Sequence, residues 1–103
     1  MESDPTSETD VDQRLDRRLE AAFEGDAGTR RVVVRQARDL TDSGQFEADA
    51  GRELTTSVVV DNLRDAPDNL ALPEKWNWWM GALELAYGGY DRFRVVRWAG
   101  TSK

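Results

Sequence analysis

Between Pro73 and Gly89 the chain reads P-E-K-W-N-W-W-M-G-A-L-E-L-A-Y-G-G, and this stretch restricts the possible folds most tightly. Three of the four tryptophans lie in it. At helical spacing Trp76, Trp79, Met80, Leu83 and Tyr87 share one face. Trp78, Ala82 and Leu85 form a second stripe on the far side, and only Asn77, Gly81 and Glu84 leave a narrow polar strip. A helix apolar around most of its girth has to be covered on nearly every side, by other helices or by another chain. The sequence therefore predicts a helix opened by Pro73 at its first position and closed by Gly88 and Gly89. It belongs at the centre of a bundle.

The rest of the chain supplies the cover. Residues 1–9 are polar and acidic and read as a disordered tail. A first helix is expected from Asp10, which with Gln13 resembles a capping box, and Val11, Leu15, Leu19, Ala22 and Phe23 form its apolar face. A second runs from Thr29 to Thr41 with Val33, Ala37 and Leu40 inward. A loop around Phe46 follows, then a third helix over Thr56–Asp65, capped by Thr55. Tyr90 to Trp98 fits either a short helix or an extended segment laid across the bundle. Val32–Asp42 and Val58–Asp68 are identical at six of eleven positions, which suggests a duplicated helical unit or chance between two Val-rich helix ends. The predicted fold is all-α, a four-helix bundle-like single domain over residues 10–98 with a tail at 99–103. The alternative is α+β, with V-V-V and F-R-V-V-R-W forming a small sheet.

Composition narrows the chemistry. The chain has no cysteine and no histidine, so the commonest zinc, copper and iron ligands and the usual neutral-pH general base are missing. No nucleophile elbow, Walker-type loop or dinucleotide fingerprint occurs. Asp39, Asp42, Gly44 and Glu47 sit in one turn-rich segment, but an EF-hand aligned on Gly44 would need a glutamate where Ala50 stands. We therefore expect no metal, no cofactor and no enzymatic activity. The formal net charge is −6, aspartate outnumbers glutamate, and Lys75 and Lys103 are the only lysines. That balance suits a salt-in halophile's cytoplasm, where salt screens the self-repulsion of abundant carboxylates. With no cationic-then-apolar leader in residues 1–10 and no long apolar run, neither secretion nor membrane insertion is expected.

Two surfaces stand out. Seven of the nine aromatic residues fall between Trp76 and Trp98. Most suit a core, but Trp78, Tyr90 and Trp98 lie off the main face or near the chain end and are candidate anchors for a protein partner or a second subunit. Arg92, Arg94 and Arg97, interleaved with aromatics, could alternatively stack on and neutralise single-stranded nucleic acid. The acidic total charge argues against a polyanion. Arg30, Arg31, Arg35 and Arg38 are expected to pair instead with an acidic edge, Asp12, Asp16, Glu20 and Glu24, on the neighbouring helix.

The segments 48–55 (A-D-A-G-R-E-L-T), 62–67 (N-L-R-D-A-P), 76–81 (W-N-W-W-M-G) and 87–90 (Y-G-G-Y) resemble a small family of uncharacterised haloarchaeal proteins. The resemblance implies a haloarchaeal source and a cytoplasmic compartment, and carries over no functional residue. The expected role is a non-enzymatic module for protein interaction or self-association, with a nucleic-acid accessory protein as the alternative.

Overall fold

The computed structural model describes residues 7–96, with side chains from residue 11 onward, so Arg97, Trp98 and the C-terminal tail lie outside it. Five helices, α1 (Ser7–Ala22), α2 (Ala27–Ser43), α3 (Gln45–Ala50), α4 (Thr56–Arg64) and α5 (Leu72–Ala86), precede a 3₁₀ turn at Asp91–Phe93. No strand occurs among the described residues, so the all-α expectation holds and the small sheet is excluded there. No described helix is long and apolar enough to cross a membrane.

Four helices close a ring: α1 packs on α2, α2 on α5, α5 on α4, and α4 back on α1. Their inward residues form one cluster, with Leu15, Leu19, Val33, Leu40, Val60, Leu63, Trp76 and Met80 almost fully buried. The echo between α2 and α4 has a packing meaning, because Val33–Val34 and Val59–Val60 are the buried pairs of their helices. The α1–α2 seam carries the expected charge pairing. Arg30 Nε lies 3.0 Å from Asp16 Oδ1, and Arg38 Nη1 lies 3.2 Å from Asp12 Oδ2.

Helix ends follow local chemistry. Asp26 Oδ1 accepts the Thr29 N–H at 2.9 Å, and Thr55 Oγ1 accepts the Val58 N–H at 3.2 Å. Glu74 Oε1 reaches back to the Ala71 N–H at 2.8 Å. This is one half of a capping box, since Ala71 has no acceptor of its own. Gly44 ends α2 at φ 72°. That left-handed turn costs glycine little and lets α3 begin at the next residue. Where a loop around Phe46 was expected, there is therefore a short helix that drives Phe46 into the core. The first helix starts at Ser7, so Asp10 lies inside it rather than at its cap.

The Asp26 cap gives a pH test. The Thr29 N–H bond, foremost, holds the Asp26 carboxyl below its ordinary value. A depressed carboxyl stabilises the fold above its unfolded value, about 4, and that contribution is lost as pH falls through the folded value. The melting temperature of Asp26→Ala should lie below wild type at neutral pH, and the gap should close on acidification. A gap independent of pH would show that the carboxylate has no part in it.

Candidate functional site

The tryptophan helix is a corner of the bundle rather than its axis, and its sides differ in what covers them. Its first face enters the core. Trp76 and Trp79 are buried and meet edge to face with centroids 5.4 Å apart, and Trp79 makes a second such contact with Phe46 at 5.9 Å. Such pairs add about 0.5–1.5 kcal/mol beyond the area they bury. Tyr87, expected on this face, is instead half exposed. Regular helix stops at Ala86, and Tyr87 takes φ −126°, which turns it out of register.

The polar strip, which carried no weight in the sequence, supports the second cover. After Gly88 and Gly89 the chain doubles back and runs antiparallel along α5 as a strap. Glu84 Oε1 accepts the N–H groups of Tyr90 (2.6 Å) and Asp91 (3.1 Å). Asn77 makes a two-way clamp on one residue: its Nδ2 donates to Val95 O at 2.9 Å, and its Oδ1 accepts Val95 N–H at 2.7 Å. The Trp76 indole N–H donates to Phe93 O at 2.8 Å. Gly81, between them, leaves room for Arg94, since a Cβ there would come within 3.1 Å of Nη2. From α3, Gln45 Nε2 donates to Gly89 O at 3.0 Å and fixes the root of the strap. Tyr90 to Val96 is thus a 3₁₀ turn followed by extended chain, held mainly through backbone groups.

This arrangement corrects one candidate anchor. Tyr90 has no exposed surface, and its hydroxyl donates to Asp49 Oδ2 at 2.7 Å. Burial first, then the Asp49 carboxylate, push its phenol well above the ordinary tyrosine range, so it remains a donor at neutral pH. It cannot present itself to a partner, because the strap it begins is folded inward. Trp98, the third anchor, and Arg97 lie outside the described residues. Of the other two arginines proposed for nucleic acid, Arg92 sits 4.6 Å from the centroid of Phe93 and donates to Gln45 Oε1 at 2.6 Å. Arg94 Nε lies 3.2 Å from Asp91 Oδ1.

The third side of α5 has no cover from the described residues. Trp78 is 41 % exposed and Leu85 91 % exposed, with Ala82 open between them. Strap residues Asp91 and Arg94 border them to form a shallow groove. Elsewhere, Lys75 is buried, donating to Pro67 O at 2.8 Å with its ammonium 5.7 Å from the Phe23 ring centroid. It ties down the turn before α5. No cluster of three or more acidic side chains suited to a metal ion occurs among the described residues.

No curated protein and no solved structure matches the chain. The family model of the WNWW domain matches residues 1–84. Its four letters are Trp76, Asn77, Trp78 and Trp79 of this chain. Trp76 and Trp79 build the core, Asn77 holds the strap, and Trp78 alone of the four is exposed. With the match extending over most of its length, the chain belongs to the WNWW domain family.

Proposed function

We propose that the protein is a non-enzymatic interaction module, acting in a halophile's cytoplasm, whose docking face is the stripe Trp78–Ala82–Leu85. One observation carries this: within W-N-W-W, three residues are consumed by the fold and Trp78 is left at the surface beside a fully open leucine. A large aromatic next to exposed aliphatic surface is the usual composition of a binding hot spot. The internal engagement of Arg92 and Arg94 favours protein docking over the nucleic-acid alternative. The acidic, arginine-rich composition supports the haloarchaeal assignment.

Leu85 is exposed enough to be replaced by a photo-crosslinking phenylalanine derivative without disturbing the core. Irradiated in its own cells, that protein should yield a discrete protein adduct. Trp78→Ala in the same chain should reduce the adduct about tenfold, and the same crosslinker at exposed Asp61 on α4 should give none. Absence of an adduct at position 85, or one indifferent to Trp78→Ala, refutes the docking role.

A further inference from the structure

The strap sits on α5 as an extended peptide sits on a receptor. From Phe93 to Val96 its residues alternate, with Phe93 and Val95 buried and Arg94 and Val96 exposed. Arg94 is extended, at φ −72° and ψ 150°. The receptor grips backbone. The Trp76 indole N–H donates to Phe93 O, and Asn77 engages both the C=O and the N–H of Val95. Receptors for extended segments draw affinity from main-chain hydrogen bonds and specificity from pockets for alternate side chains. We infer that this side of α5 is a peptide-binding groove, filled in cis by the strap, whose ligand is an extended aromatic-x-aliphatic segment of a partner protein that displaces Phe93–Val96.

The strap in place defines what the groove accepts. Its two sockets are two residues apart along the strap, one for a ring and one for a branched aliphatic chain. The ring of Phe93 has Tyr90 as an aromatic neighbour, with centroids 6.2 Å apart. Between the sockets Arg94 reaches over Gly81, where a Cβ would come within 3.1 Å of its Nη2. A long side chain at the middle position therefore fits. None of the three receptor bonds reads a side chain, so any segment with this spacing can make them. A second copy is a poor donor, because its own strap already fills its own groove. Exchanging straps gains no contact and costs the freedom of a whole chain.

Only the far end of the strap takes part in the exchange. Tyr90 is fully buried and bonded to Asp49, and Glu84 holds the N–H groups of Tyr90 and Asp91. The single 3₁₀ turn Asp91–Phe93 joins this fixed root to the displaceable end. The two Asn77 bonds favour closure by roughly 30- to 100-fold. A short tether presents the strap at an effective concentration of about 1 mM. An empty groove should then bind the same segment with a Kd of roughly 10–30 µM, whereas displacing the strap takes about 1 mM of it. The groove and the Trp78 stripe are different sides of α5, so this inference does not depend on docking at Trp78.

Fluorescence anisotropy of the full chain with a labelled peptide of residues 91–97, D-R-F-R-V-V-R, tests this. Val95→Asp puts a carboxylate into an apolar socket, so the chain's own strap leaves while Trp76, Asn77 and Gly81 are untouched. That variant should bind the peptide at least about 30-fold more tightly than wild type. Adding Asn77→Ala should weaken binding at least about tenfold. A peptide of the same charge carrying Phe93→Ser and Val95→Ser should bind at least about tenfold more weakly too. Wild type supplies a check that needs no variant to fold. About 1 mM peptide should speed Val95 N–H exchange at least about tenfold and leave the α2 and α4 amides unchanged. A peptide without effect on Val95 exchange in wild type overturns the groove, as does binding indifferent to Asn77→Ala or to the two serines. A complex of Val95→Asp with wild type as tight as that with the peptide makes a second copy the donor and overturns the separate partner. The crosslinker at position 85 reports on the Trp78 face independently of these results.

Discussion

Replacing Trp76 by alanine should remove a large part of the protein's stability. Trp76 is fully buried at the junction of the bundle core and the strap. Truncating a buried tryptophan costs about 3–5 kcal/mol in transfer and cavity terms. It also removes the edge-to-face contact with Trp79 and leaves Phe93 O without its indole donor. An unsatisfied buried acceptor adds about 1–3 kcal/mol. These terms share the same atoms and do not sum freely, but even the lowest figure is a large share of the ~5–15 kcal/mol that stabilises a domain of this size. Urea unfolding should show the midpoint lowered by at least about 1 M, given slopes of about 1–3 kcal/mol per M. Trp76→Phe keeps a ring and loses the N–H, and should fall between the two. Trp78→Ala, two residues away, should cost under about 1 kcal/mol because much of that ring is already in water. Equal losses at positions 76 and 78 would contradict the division of labour within the motif.

That division was only half legible in the sequence. Periodicity separated Trp76, Trp79, Met80 and Leu83 from Trp78, Ala82 and Leu85, and the structure keeps the two groups on different sides. Periodicity could not separate Tyr87 from the buried set, because the exit from the helix is decided by a single dihedral at Tyr87 and by the two left-handed glycines after it. Nor could it locate the strap. Strap residues are held chiefly through backbone N–H and C=O groups, which every residue carries, so F-R-V-V-R-W reads the same whether docked or free. The signal lay in the receptor instead. Asn77 and Glu84 interrupt an otherwise apolar helix at a spacing of seven, two turns apart on one side. A polar residue at such a position needs a partner once its surroundings are apolar. Phe46 failed to read as helical for a related reason. Gly44 ends α2, and a left-handed glycine is also a hinge from which a second helix can begin.

The same reasoning explains why this chain can carry a helix apolar on so many sides. The bundle covers one face and the strap covers the polar strip together with the edge of Trp76. What remains is one stripe, Trp78, Ala82 and Leu85, left uncovered by the described residues. The sequence puts Tyr90 on that outer surface because it lies beyond the tryptophan helix, toward the chain end. Its burial by way of Asp49 means that the strap is rooted in the core before it reaches Asn77.

Replacing Asn77 by alanine should detach the far end of the strap and leave the four-helix ring intact. The side chain makes both of its hydrogen bonds to Val95, which is itself almost fully buried. Each such bond is worth about 1 kcal/mol net, and the orphaned backbone groups of Val95 raise the penalty for staying docked. The cheaper response is for Phe93–Val96 to open, exposing the aromatic edge of Trp76. Val95 N–H and the Trp76 indole N–H should then exchange with solvent roughly 30- to 100-fold faster, the equivalent of about 2–3 kcal/mol of lost local stability. Amides in α2 and α4 should keep most of their protection, since their cores do not depend on the strap. Asn77→Asp sharpens the test. As a carboxylate it still accepts Val95 N–H, but it places negative charge against Val95 O, so docking favours the protonated form and raises the carboxyl value in the folded state. Stability linked to such a group is complete below its unfolded value, about 4, and declines as pH rises through the folded one. Acidification should therefore re-dock the strap in Asn77→Asp and have no such effect in Asn77→Ala. If Val95 N–H exchanges at the wild-type rate in Asn77→Ala, Phe93 and Tyr90 alone suffice to hold the strap, and the polar strip of α5 has no anchoring role.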